Sequence, residues 1–115
     1  MINLDYQSRT PIYEQIVEQV ERYVVLGILK PEEQLSSVRD MATALGINPN
    51  TVKKAYTKLE RRGVIVTIST KGTYIASNTK KIVEEKIAEK FEKIKNLIEE
   101  IEQLGLTKEE IRKRL

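Results

Sequence analysis

Two helix-start signals stand eleven residues apart in this chain, at Ser37 and Asn48, and that spacing restricts the fold more than any other feature. Ser37 can cap one helix, with Asp40 as an acidic partner three residues on, and Asn48 can cap a second, with Pro49 in its first position. Gly46 suits the left-handed residue that closes the first helix. Only Gly46-Ile-Asn48 then joins the two. Short helices on a glycine-containing turn of that length form a helix-turn-helix. Met41, Ala44 and Leu45 are expected to face inward from the first helix. Val52, Ala55, Tyr56 and Leu59 are expected to do so from the second, which runs to Gly63.

The flanking segments complete a compact unit. Thr10-Pro11 reads as an N-cap and a first helical residue, and Ile12, Ile16, Val17, Val20, Tyr23 and Val24 recur at helical spacing until Gly27. The stretch from Ile28 to Leu35 reads as a connector, with Pro31 turning Lys30 away from helix. After Gly63, a β-branched run, a polar turn Ser69-Thr70-Lys71-Gly72 and a second short run signal a β-hairpin. Helix, helix-turn-helix and hairpin, in that order, make a winged helix. The expected fold is mainly α with a small β-hairpin. A winged helix-turn-helix DNA-binding domain over residues 1–77 precedes a C-terminal helical dimerisation tail over 78–115.

The start of the second short helix concentrates chemistry. Asn48, Asn50 and Thr51 are short side chains that both donate and accept, so a backbone can come close to base edges in a major groove. Asn can pair with adenine through two bonds, and a Thr methyl can touch that of thymine. Lys53 and Lys54, further in, can reach phosphates or a guanine edge. Arg39 can contact a base or phosphate, or pair with Asp40 or Glu60 on the surface. Ser36 and Ser37 can donate to phosphate or cap a helix. Ser69, Thr70, Lys71 and Gly72 form either a wing tip that meets the DNA or an ordinary hairpin turn. Charge supports the nucleic-acid reading: residues 36–72 hold seven bases against two acids, within a chain whose net charge is +3.

The ordered run from Leu35 to Thr67, followed by Lys71-Gly-Thr-Tyr-Ile75, resembles the winged-helix domain of the GntR family of transcription regulators. The resemblance spans roughly Pro11 to Ile75, and the short tail fits the YtrA-like subgroup. It implies a dimeric bacterial repressor on an inverted repeat, often controlling a transporter operon. It also supports Arg39, Asn48, Asn50, Thr51 and Lys53 as DNA-facing, with wing contacts from Ser69 to Gly72. Two positions depart from the family pattern. Leu35-Ser36-Ser37 stands for Leu-Pro-Ser, and Thr70 for the first glycine of Gly-x-Gly, where a side chain bears on how closely the wing tip can approach DNA.

From about Asn78 the chain becomes dense in Glu, Lys and Ile. Val83, Ile87, Phe91, Ile94, Ile98 and Ile101 step by three and four, flanked by Leu97 and Leu104. Thr107 to Glu110 resembles a capping box for a last short helix with Ile111 and Leu115 inside. A helix of some 26 residues is roughly 39 Å long. That exceeds what so small a trihelical core can cover, so a second copy is the expected partner of the stripe, part of which can pack on the chain's own first helix.

Other function classes fare poorly. With no Cys and no His, and with no phosphate-binding glycine loop, an enzyme is not expected, nor is a cofactor or metal. The alternative is a winged-helix module for protein or RNA, but the basic middle segment argues against a protein partner. An RNA major groove is too narrow for this helix. No apolar run reaches membrane-span length and the N-terminus has no signal pattern, so a cytoplasmic protein without membrane contact is expected. A small-molecule effector is possible, with no polar constellation marking its site.

Overall fold

Pro11 occupies the N-cap position of the first helix, α1 (Ile12–Val25), and its carbonyl accepts the Gln15 N–H. Thr10 is therefore not the cap. Its carbonyl instead accepts from the Gln15 side chain. The computed structural model describes residues 2–115. The elements that follow are β1 (Gln34–Leu35), α2 (Val38–Leu45), α3 (Pro49–Arg61), β2 (Ile65–Ile68), β3 (Gly72–Ile75), α4 (Thr79–Gln103) and α5 (Lys108–Arg114). The winged helix-turn-helix arrangement expected from sequence is present, mainly helical with a small antiparallel sheet.

The chain divides into two compact units, Met1–Ile82 and Val83–Leu115. In the first, α1, α2 and α3 enclose a core of Ile16, Val17, Val20, Ala42, Val52, Ala55, Tyr56 and Leu59, closed by Val64, Ile65 and Ile75 from the sheet side and by Ile82 from the start of α4. Burying apolar side chains of this size is what drives the three helices together, at roughly 1.5–3 kcal/mol each as an upper-range figure. In α2 the buried residue is Ala42, while Ala44 is exposed. The inward face is thus rotated from the expected one, with Met41 and Leu45 half-buried beside it.

Two features lay outside the sequence reading. The stretch before α2 is not only a connector: Gln34 and Leu35 pair antiparallel with Tyr74 and Thr73, giving a sheet of order β1-β3-β2. The N-terminal arm is clamped along α1 by two glutamines one turn apart. Gln15 accepts from the Asp5 N–H and donates to the Asp5 carbonyl, and Gln19 does the same with Asn3. A primary amide carries an oxygen acceptor beside an NH2 group with two donors, so each glutamine satisfies a backbone residue of the arm in both directions, and Gln15 uses its second N–H on the Thr10 carbonyl.

The hairpin loop is one residue shorter than expected. Ile68 pairs with Gly72, so Ser69, Thr70 and Lys71 alone connect β2 to β3, and Lys71 N–H donates to the Ile68 carbonyl. In the second unit, Thr107 and Glu110 form the expected capping box, and Ile111 is buried. Leu115, expected inside, is exposed.

Candidate nucleic-acid interface

α3 divides lengthwise into two faces. Val52, Ala55, Tyr56 and Leu59 are buried, and Asn50, Lys53, Lys54, Thr57 and Arg61 are exposed on the other side. Asn48 starts the helix in extended backbone, and its side-chain oxygen accepts the Asn50 N–H at 2.8 Å. That bond engages one lone pair of the Asn48 oxygen in the helix start, while its NH2 group makes no hydrogen bond among the described residues, so Asn48 is better placed to donate to a ligand than to pair with adenine in both directions. Asn50 carries no such obligation through its side chain. Thr51 is half-buried, one step toward α1.

The basic residues of α3 and of its C-cap, Arg62, are not equally available. The Lys58 ammonium lies 3.5 Å from Glu14, and Arg62 Nη1 lies 2.9 Å from the buried carboxylate of Glu21. Both acids belong to α1, so these pairs staple α1 to α3. Lys54 Nζ sits over the Tyr13 ring, 4.1 Å from its centre. The Tyr13 hydroxyl donates to Glu14, which holds the phenol above its ordinary pKa, with slight desolvation and the carboxylate charge adding to the effect. Lys53 and Arg61 form no ion pair among the described residues. Tyr13, Asn50, Lys53, Lys54, Thr57, Lys58 and Arg61 together line one open cleft along the outer face of α3. Tyr13 was not foreseen. Its helical position was legible, but not that α1 crosses α3 with that residue beneath Lys54.

At the start of α2, the Ser37 hydroxyl accepts the Asp40 N–H at 3.1 Å, as a cap. Arg39 is exposed and pairs with neither Asp40 nor Glu60 among the described residues. The Ser36 side chain is exposed, and its carbonyl accepts the Tyr56 hydroxyl at 2.6 Å. Burial pushes the Tyr56 phenol well above its ordinary pKa, so the hydroxyl stays a donor.

The wing tip places Ser69, Thr70 and Lys71 in solvent. Thr70 takes φ 68° and Gly72 φ 123°. With Lys71 N–H bonded back to Ile68 and positive φ at the third residue only, the turn follows the type II pattern, where glycine is usual at the Thr70 position. A Cβ at Gly72 would lie 2.9 Å from Gln34 Nε2, so the Gln34 side-chain amide rests against the space the glycine leaves open.

Among the described residues, no cluster of three or more His, Cys, Asp or Glu could hold a metal ion, and no helix is long and apolar enough to cross a membrane. The family profile for bacterial regulatory proteins of the gntR family matches residues 12–75. The chain is 46% identical over 112 residues to the HTH-type transcriptional repressor YtrA of Bacillus subtilis strain 168, covering 96% of this chain and 86% of that one. A transcriptional regulator from Oenococcus oeni superposes with TM-score 0.80 at 34% identity, over 98% of this chain and 94% of that one. A transcriptional antiterminator from Listeria monocytogenes EGD-e gives TM-score 0.73 at 45% identity, over 98% and 85%.

Proposed function

Because the chain belongs to the gntR family of bacterial regulatory proteins and is a DNA-binding transcriptional regulator, we propose that it acts in the cytoplasm as a homodimeric repressor on an inverted-repeat operator, of the kind that controls transporter genes. The observation that carries this reading is the two-sided α3: a buried apolar face fixes it to the core, while Asn50, Lys53 and Lys54 face outward from its first turns. An exposed helix start with short polar side chains can enter a major groove and bring donors and acceptors to base edges. In this reading Asn50 and Thr51 read bases, and the Asn48 amide donates beside them. Lys53, Lys54 and Arg39 neutralise phosphates, Ser36 and Ser37 lie along the backbone, and Ser69 to Gly72 approach the neighbouring minor groove.

The dimer rests on α4. Phe91 and Leu97 are 58% and 57% exposed, Ile87 and Ile94 are exposed with them, and Leu104 extends the row. Val83, Ile98 and Ile101 are half-buried along the same helix. A row of large apolar side chains at helical spacing is a poor surface for water and a good one for a twin helix. The repressor role follows the Bacillus subtilis relative.

Selection of bound sequences from a random duplex pool, with sedimentation of the free protein, tests the reading. The expected product is two half-sites related by a two-fold axis, about 34 Å apart between centres. With about 8 phosphates neutralised, log K falls with log salt at a slope near −7. A monomer in solution, a single unrepeated site, or stronger binding to hairpin RNA than to the selected duplex defeats it.

A further inference from the structure

Tyr56 lies on the flank of α3 that faces α2, buried to 5% exposure, and its hydroxyl donates across to the Ser36 carbonyl at 2.6 Å. Ser36 is the hand-over point between sheet and helix. Its predecessor Leu35 pairs with Thr73 of β3, and its successor Ser37 caps α2. Three residues later comes Arg39, exposed and without an ion pair among the described residues. The core fixes the Tyr56 ring, so the phenol carries the position of α3 to the first turn of α2 through one short bond.

We propose that the Tyr56 hydroxyl is a positioning group for DNA binding, locking the first turn of α2 in register with α3 so that Arg39 is held where it meets the duplex. Tyr56 itself does not touch DNA. The inference rests on the reading of Arg39 as DNA-facing. Ser36 is exposed, so water can replace the phenol at its carbonyl, and Phe fills the space of the ring. Loss of the hydroxyl therefore frees the α2 start more than it unfolds the protein. A binding surface that must be ordered during association binds more weakly than one ordered beforehand.

The test uses the full chain, the duplex selected from the random pool, and fluorescence anisotropy at fixed salt, with wild type, Tyr56→Phe, Arg39→Ala and the double variant. Tyr56→Phe should weaken binding about 3- to 10-fold, as expected for one lost hydrogen bond, with little change in the thermal midpoint. On the Arg39→Ala background most of that loss should disappear, because the group being positioned is gone. In the free protein, the Asp40 and Met41 amides of Tyr56→Phe should exchange hydrogen faster, while those of mid-α1 keep their wild-type rates. Wild-type affinity for Tyr56→Phe, a loss accounted for by unfolding, or a loss that persists in full beside Arg39→Ala overturns the inference while leaving the DNA reading of Arg39 intact. An Arg39→Ala variant that binds as wild type removes that reading of Arg39, and the inference with it.

Discussion

Thr70 holds a backbone angle, φ 68°, that a β-branched residue adopts only under constraint from its surroundings. Its Cβ crowds the following carbonyl there, which costs an L-residue roughly 1–2 kcal/mol. The constraint is visible on both sides. The Lys71 N–H is bonded to Ile68 at 3.0 Å, and the Tyr74 hydroxyl donates to the Lys71 carbonyl at 3.0 Å. Thr70→Gly removes the crowding and keeps both bonds. Glycine loses more freedom on folding, which offsets about 0.4–1 kcal/mol of the gain. The net expectation is a protein more stable by about 0.5–1 kcal/mol, or about 2–8 °C in thermal midpoint for a unit of this size.

Two companions make the reasoning refutable. Thr70→Ala keeps a Cβ in the left-handed region and should gain less than Thr70→Gly. Gly72→Ala should lose about 1–3 kcal/mol, because side chains rarely adopt φ 123°; the Gln34 amide, 2.9 Å from the new Cβ, ends a flexible side chain and can swing aside, so the backbone angle carries the cost. Thermal and urea unfolding followed by far-ultraviolet circular dichroism measures all three. If Thr70→Gly is no more stable than Thr70→Ala, or if Gly72→Ala is neutral, the wing is not strained where the backbone angles place the strain.

Leu59→Ala, at a fully buried position on α3, should cost about 2–5 kcal/mol in urea unfolding, from lost burial plus the cavity left behind. Asn50→Ala should cost about 1–3 kcal/mol at one base pair of the selected site, while Lys54→Ala weakens all duplexes alike; competition binding against single-base variants separates the two patterns. Phe91→Glu on the exposed stripe of α4 should shift the protein to monomer, seen by light scattering on a sizing column, with the winged unit still folded. Glu14→Gln keeps an acceptor for Tyr13 but releases Lys58, so non-specific duplex affinity should rise and its salt slope steepen by about 0.9, read from anisotropy at several salt concentrations.

Much of the fold was legible because its signals are satisfied locally. Ser37, Asn48 and Thr107 each accept a backbone N–H two or three residues ahead, so the sequence around each carries its whole explanation. Features that depend on distant partners were not legible. A two-residue strand has no period to detect, and β1 exists only because β3 offers an edge to Gln34 and Leu35. The inward face of α2 differs from the expected one because eight residues make barely two turns, too few for periodicity to separate Ala42 from Ala44 before α1 and α3 are in place. Gln15 and Gln19 look like ordinary surface residues of an amphipathic helix until the N-terminal arm lies across them. For the candidate site, exposure at the α3 start could be read from Asn48 and Pro49, but the partnering of its lysines could not.

That partnering changes what the charge pattern means. Seven bases crowd residues 36–72, yet proximity alone would set those on α3 repelling one another along a single helix. α1 resolves the conflict with acids at two heights. Glu14 takes Lys58, and the buried Glu21 takes Arg62, whose guanidinium it meets with the geometry of a charge-assisted bond. Both pairs lie on the flank of α3 that faces α1. Removing positive field from that flank leaves Lys53 and Arg61 to dominate the outer face, beside Asn50 and with Lys54 held over Tyr13. The −3 balance of residues 1–35, which looks like an idle counterweight in the sequence, thus supplies the carboxylates that aim the potential of α3 outward, away from the core and toward the side where a polyanion can approach.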